Sequence, residues 1–123
     1  MIFSSPALKI KVINDSNLGF RSLHFKFLGK FTRDASVAGS SKWAEFMDEN
    51  SEEQFEFVWD CIEMNGFEIA ARTEWYKTIK MYKDRMRKVQ VISNNIMIRS
   101  AAKVMLQFFN VPSDIIRSKE PVV

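Results

Sequence analysis

The stretch LKIKVINDSNLGFRSLHFKF, residues 8–27, decides the fold class. Apolar and polar side chains alternate at both of its ends, which is the pattern of half-buried β-strands. Between the two alternating runs, residues 14–17 (Asn-Asp-Ser-Asn) are typical of a turn. The stretch therefore predicts a β-hairpin with one apolar face and one basic face, on which Lys9, Lys11 and Lys26 would lie.

A helix is the second interpretation of residues 18–31. Four apolar side chains follow one another at spacings of three and four, as on one side of an amphipathic helix: Phe20, Leu23, Phe27 and Phe31. The alternation within residues 23–27 favours the strand, and the choice between strand and helix stays open at this point.

The rest of the chain has mainly helical periodicity. Residues 32–41 are rich in small and polar side chains, which predicts a loop. Apolar side chains then recur every three or four residues, which predicts helices over residues 42–49, 52–65, 73–88 and 95–109, and a last helical turn over 114–117. Helix 95–109 is apolar over most of its circumference and is expected at the centre of the fold. The tail, residues 118–123, is expected to be frayed.

These elements predict an α+β fold, in which an N-terminal β-hairpin packs on a bundle of about four helices with helix 95–109 central. A chain of 123 residues is most simply one domain, residues 1–123. No run of about 18 apolar residues exists, so no membrane span is expected. The single cysteine, Cys61, excludes an internal disulfide and fits a reducing compartment, and without a secretory signal the expected location is cytoplasmic.

Charge is segregated along the chain. Residues 45–68 contain nine acidic side chains and no Lys or Arg, whereas residues 72–103 contain nine basic side chains and two acidic ones. The net charge of +3 therefore hides two adjacent blocks of opposite sign. Segregated charge steers association and says little about fold. The pattern indicates a protein that binds another macromolecule.

The acidic block suggests a docking surface for a protein partner. On a helix over residues 52–65, carboxylates would form one continuous face with apolar side chains on both sides of it. Phe57 would lie on the second apolar strip and would be available to a partner. The predicted protein-binding residues are Glu45, Glu49, Glu53, Glu56, Phe57, Asp60 and Glu63.

The chain is not expected to be an enzyme. It contains one histidine, His24, which falls on the polar face of the predicted hairpin beside Lys26. It has neither of the two glycine-rich phosphate-binding motifs, and its carboxylates lack the spacing of an EF-hand or a Glu-x-x-His metal site. Carboxylates near Cys61 would raise the pKa of its thiol and lower its reactivity. No cofactor and no metal site are predicted.

The basic block supports a different function. On a helix over residues 73–88, basic side chains would cover a broad arc and could contact phosphates. The predicted nucleic-acid-binding residues are Lys77, Lys80, Lys83, Arg85, Arg87 and Lys88. A third possibility is a self-assembling structural protein whose copies join acidic block to basic block, so a homo-oligomer is also conceivable.

The function that the sequence favours is a small non-enzymatic binding protein that modulates or inhibits a macromolecular partner. The partner expected first is a protein or protein complex, with nucleic acid second and no membrane. The short chain without catalytic residues is typical of a phage or mobile-element accessory protein. Such a regulatory protein would act by occupying a surface of its partner.

Overall fold

The computed structural model describes residues 1–14 and 19–118, which contain six strands, three α-helices and one 3-10 turn. The predicted turn at residues 14–17 and the tail at 118–123 fall mostly outside the described residues. In chain order the elements are β1 (Phe3–Ser4), β2 (Leu8–Ile13), β3 (Ser22–Phe31), α1 (Arg33–Glu49), β4 (Phe55–Phe67), α2 (Ile69–Tyr82), the 3-10 turn (Lys83–Arg85), β5 (Met86–Ile92), α3 (Ile96–Phe108) and β6 (Ser113–Ile116).

The described strands form one mixed sheet in the order β1-β2-β3-β4-β5-β6. The first two pairings are antiparallel and the last three are parallel. One α-helix connects the two strands of each parallel pair: α1 joins β3 to β4, α2 joins β4 to β5, and α3 joins β5 to β6. Because such crossovers are right-handed and all three steps run in the same direction, the three helices lie on one face of the sheet. No described element covers the opposite face.

The core lies between the sheet and the helices. Alternate strand residues point into it, so that Ile10, Phe25 and Trp59 stand side by side on β2, β3 and β4 and are all buried. The Phe25 ring lies 6.0 Å from the Trp43 ring of α1 and 5.7 Å from the Trp75 ring of α2, both edge to face. Aromatic contacts between the sheet and α1 and α2 therefore form the centre of the fold.

The predicted hairpin is confirmed. β2 and β3 pair in antiparallel register over residues 8–13 and 22–27, and the helical alternative for residues 18–31 is wrong. The predicted loop at residues 32–41 is also wrong, because α1 begins at Arg33. Thr32 caps it, its hydroxyl accepting from the Ala35 amide at 3.2 Å. Its small residues make close contacts: the Ser36 hydroxyl donates to the Ala71 carbonyl of α2 at 2.7 Å.

The acidic helix predicted over residues 52–65 is a strand. β4 runs through Phe55–Phe67, and its side chains at positions 55, 57, 59 and 61 are buried in turn. The period of two, carried by aromatic residues, matches a sheet and outweighs the helical spacing that the same residues also satisfy. Carboxylates that would have formed one helical face are therefore divided between a strand and its ends.

The basic helix predicted over residues 73–88 is also wrong in its extent. α2 ends at Tyr82, and Met86 begins β5 after the 3-10 turn. Met86 and Val89 continue the helical spacing of Trp75, Ile79 and Tyr82 by coincidence, since they face the core from a strand. The final helical turn predicted over residues 114–117 is likewise a strand, β6, at the edge of the sheet.

The α+β class is right, but the bundle of about four helices with helix 95–109 central is not. A helix does occupy this segment as α3, capped by the Asn95 side chain. It lies near the sheet edge over β5 and β6, with Met97 at 74% and Phe108 at 72% exposure. The apolar residues around α3 led to the prediction that it is central, but some of them form a face that is open to solvent. None of the described helices is long and apolar enough to cross a membrane.

Candidate functional site

The structure distributes the predicted acidic site over three parts of the chain. Glu45 and Glu49 lie on α1, Glu53 precedes β4, and the other residues lie on β4. Most of the carboxylates have cationic neighbours within the molecule. Their ion pairs are Glu45 with Lys42 at 3.7 Å, Glu53 with Arg21 at 2.6 Å, Glu56 with Arg87 at 3.8 Å and Glu63 with Lys26 at 3.0 Å.

Two members of this set lie on opposite sides of the sheet. The Phe57 ring is 1% exposed and packs 5.9 Å from Phe25 and 5.7 Å from Trp43. Asp60 points to the uncovered face, where its carboxylate accepts the Ile62 amide at 3.1 Å. Phe57 therefore belongs to the core, and these residues do not form the mixed acidic and aromatic surface that the helical interpretation required.

The predicted basic set is also dispersed. Lys77 and Lys80 lie on α2, Lys83 and Arg85 in the 3-10 turn, and Arg87 and Lys88 on β5. Arg85 donates to the Met47, Glu53 and Asn50 carbonyls at 2.6, 3.1 and 3.2 Å, and so satisfies oxygens at the end of α1. Arg87 stacks on Phe20 at 4.2 Å, and Lys88 pairs with Asp114 at 2.6 Å. These contacts hold half of the set in internal roles.

The uncovered sheet face carries a basic patch of four residues. Lys9 stands opposite Lys26, and Lys11 stands opposite His24, on the neighbouring strands β2 and β3. Burial, followed by the charge of Lys11, lowers the pKa of His24 below its usual value. His24 is therefore protonated less readily than a free histidine side chain. It lies on the polar face, as the sequence predicted.

An apolar cleft separates α2 from α3 on the covered side of the sheet. The two helices make little direct contact, because α2 packs mainly on α1 whereas α3 lies over β5 and β6. Side chains from both helices and from the ends of β3 and β4 surround the gap: Phe27, Phe31, Trp59, Cys61, Met64, Phe67, Arg72, Trp75, Ile98, Ala101, Ala102 and Met105. The gap contains about 470 Å³ of unfilled space, part of it open to solvent.

Two polar groups border this cleft. The Trp59 side chain is 4% exposed, and its indole Nε1 has no hydrogen-bond partner in the part of the chain that the structure describes. Arg72 stands on the α2 side, its guanidinium 5.9 Å from the Tyr76 ring, and no described carboxylate pairs with it. Burial and the nearby charge of Asp60 raise the pKa of the Cys61 thiol to about 12, so it is protonated there.

The α3 side of the cleft continues into an exposed apolar strip. At about 100° per residue, Met97, Val104 and Phe108 fall within one narrow arc of α3, next to Ala101 in the cleft wall. Their exposures are 74%, 62% and 72%. We call these three residues the α3 strip. Across the gap, the α2 bank is defined by Arg72, Tyr76 and Lys80, which are spaced four apart and so share one side of α2.

Comparison with solved structures places this architecture among known folds. The crystal structure of an uncharacterised protein of the DUF3478 family with a SpoIIAA-like fold, from Shewanella loihica PV-4, is similar to this chain with a TM-score of 0.70. The sequences are 16% identical, and the match covers 98% of this chain and 92% of the other. At that identity the similarity shows the fold alone. No family model and no curated protein matches the sequence.

Sequence reasoning missed the cleft because its walls come from four separate elements. Two signals were nonetheless present. Helix 95–109 is more apolar than one buried face requires, which indicates a second apolar face. Arg72 stands three residues before Trp75, where the apolar seam of α2 would otherwise continue. No cluster of three His, Cys, Asp or Glu side chains among the described residues is placed to hold a metal ion.

Proposed function

We propose that this chain is a non-enzymatic protein that binds and modulates a protein partner through the groove between the α3 strip and the α2 bank. The observation that carries the proposal is the exposure of Met97, Val104 and Phe108, at 74%, 62% and 72%, along one side of α3. Soluble proteins that leave adjoining large apolar side chains in water commonly use them at an interface. The expected partner is still a protein, as the sequence favours. The proposed binding surface is now on α2 and α3 and not on β4.

The charges beside the groove indicate the chemistry of the partner. The α2 bank carries Arg72 and Lys80, and neither has an ion pair with a described carboxylate. A complementary surface would present apolar side chains to the α3 strip and carboxylates to the α2 bank. An amphipathic helix with an acidic edge fits this description, since such helices lie in apolar grooves and bind through residues spaced three and four apart.

Modulation by occupancy is the mode of action we propose. Apolar side chains at the centre of such an interface supply most of the affinity, while the surrounding charges set the association rate and the choice of partner. We retain inhibition of a cellular complex, a cytoplasmic location and a phage or mobile-element origin as parts of the proposal. The buried free thiol of Cys61 is compatible with a reducing compartment.

Photo-crosslinking from α3 tests the surface directly. A photoreactive amino acid at position 104 should capture a specific protein in source cells. The same amino acid at position 107 should not, because Gln107 lies on the polar stripe of α3, which is formed by Arg99, Ser100, Lys103 and Gln107. Capture that competes with purified partner and resists nuclease supports the proposal. Capture mainly of a second copy of this chain, of nucleic acid or of lipid would overturn it, as would equal capture from both positions.

A further inference from the structure

We propose that the cleft between α2 and α3 is a binding site for a small amphipathic anion, with an apolar chain inside and a carboxylate or similar group at Arg72. The site lies beneath the groove assigned to the protein partner; the two share Arg72, and the other side chains that line the cleft are not part of the α3 strip or the α2 bank. The inference therefore goes beyond the proposed function and does not depend on it.

The lining of the cleft suits an apolar chain. Except for Arg72, every lining residue presents hydrocarbon, aromatic or sulfur atoms. Ala101 and Ala102 leave space on the α3 wall where longer side chains would fill it. The unfilled space of about 470 Å³ includes the opening to solvent, so the enclosed part of the cleft is smaller. A slender, unbranched chain fits these dimensions better than a ring system.

The position of the cleft in the fold also favours a ligand. Phe31 and Phe67 end the parallel strands β3 and β4, and both line the cleft. Because the two strands are parallel neighbours, their carboxyl ends lie at the same end of the sheet and border one opening. The separation of α2 from α3 leaves this end of the sheet accessible, whereas α1 and α2 close the sheet beside it.

The indole ring of Trp59 forms part of the cleft wall. A buried N–H group without an acceptor costs free energy, so such groups are normally satisfied. Trp59 lines the cleft, is 4% exposed and lacks an acceptor for Nε1 among the described residues. Its indole N–H resonance therefore reports on a chain that packs against the ring.

Arg72 sets the charge of the ligand. Its planar guanidinium can donate two parallel hydrogen bonds to a carboxylate, and the contact with the Tyr76 ring at 5.9 Å holds it on the α2 side of the cleft. No described carboxylate competes for it. An anionic amphiphile is therefore favoured over a neutral or cationic one with the same chain.

Binding of decanoate, decanol and decyltrimethylammonium below their aggregation concentrations tests the site. We expect saturable, one-to-one binding of decanoate that shifts the indole N–H resonance of Trp59, with weaker binding of decanol and none of the cation. Arg72→Met should weaken decanoate binding by about tenfold or more and leave decanol binding unchanged. Lys80→Met, the matched loss of a charge from α2, should have little effect.

A second pair of variants tests occupancy of the cleft itself. Ala101→Leu should block both decanoate and decanol, and Ser100→Leu, on the polar stripe of α3, should block neither. Shifts in the Trp59 resonance locate the ligand even if Ala101→Leu folds poorly. Absence of saturable decanoate binding, equal binding of the cation, or shifts confined to Trp43, which does not line the cleft, would overturn the inference. Decanoate binding should survive Val104→Asp, so failure of the partner surface and failure of the ligand site are distinguishable.

Discussion

Tyr76 of α2 and Phe108 of α3 stack across the groove, with ring centroids 6.5 Å apart and planes inclined by 15°. Tyr76 also meets Phe109 edge to face at 5.6 Å. These contacts join two helices that otherwise touch little, since α3 packs mainly on β5 and β6. Tyr76 therefore stabilises the position of α3 relative to α2 and so sets the width of the groove between them.

Replacing Tyr76 with Ala should loosen α3. Aromatic pairs contribute about 0.5–1.5 kcal/mol each beyond their buried area, so the variant should lose about 1–3 kcal/mol of unfolding free energy. Amide hydrogen exchange should speed up in α3 and remain nearly unchanged in α1. Lys77→Ala, one residue further along α2, is the control. Equal acceleration in α1 and α3 would show that Tyr76 supports the whole core and not this one contact.

Phe57 and Phe108 should differ sharply when each is replaced with Ala. Phe57 is 1% exposed in the core, so its loss should cost about 3–5 kcal/mol of unfolding free energy. Phe108 is 72% exposed, so its loss should cost about 1–3 kcal/mol at most, the value of its aromatic contacts with Tyr76 and Phe109. Urea titrations measure both values. Similar costs for the two variants would contradict the position assigned to β4 in the core.

The unfolding free energy should depend on pH through His24. Burial lowers its pKa in the folded protein, so between that value and the ordinary value near 6.5 the unfolded chain binds more protons. His24 therefore makes stability rise with pH in this window and fall as the medium becomes more acidic. His24→Gln should flatten the slope below about pH 6.5, the ordinary pKa of a histidine side chain. An unchanged slope in the variant would assign the effect to other groups.

Cys61 should react slowly while the protein is folded. Its thiol is buried, and its pKa is raised to about 12, so almost none of it is thiolate at pH 8. Ellman's reagent should label it slowly in buffer and rapidly in urea. Fast labelling in buffer would mean that the α2–α3 cleft opens widely enough to expose the sulfur atom.

The sequence predicted the α+β class and the hairpin because β2 and β3 alternate cleanly, with Leu8 and Ile10 buried and Lys9 and Lys11 exposed. It did not predict β4. Phe55, Val58, Trp59 and Ile62 satisfy helical spacing, while Phe55, Phe57 and Trp59 satisfy alternation. Local periodicity could not choose between them, because the choice comes from pairing with β3 and β5, which are distant in sequence.

The candidate site was hidden for a related reason. A helical wheel shows that α3 is apolar nearly all round, but it does not show which part faces water. That depends on the right-handed crossovers, which place α3 over β5 and β6 and leave the side bearing Val104 without a neighbour. Small residues led to the wrong prediction for α1. Ser36 and Gly39 are typical of a loop, but here they lie in a helix and permit its close packing against neighbouring elements.

The affinity of the partner captured from position 104 for two matched variants tests the central claim most directly. Val104→Asp and Gln107→Asp each add one negative charge to an exposed position of α3, 62% exposed in the case of Val104, so neither should affect folding. We predict that Val104→Asp weakens binding by about 30-fold or more, equivalent to the 2 kcal/mol of an interface hot spot. Gln107→Asp should stay within about twofold of the unmodified protein. Equal affinities for the two variants, whether both unchanged or both weakened, would contradict the assignment of the α3 strip as the binding surface.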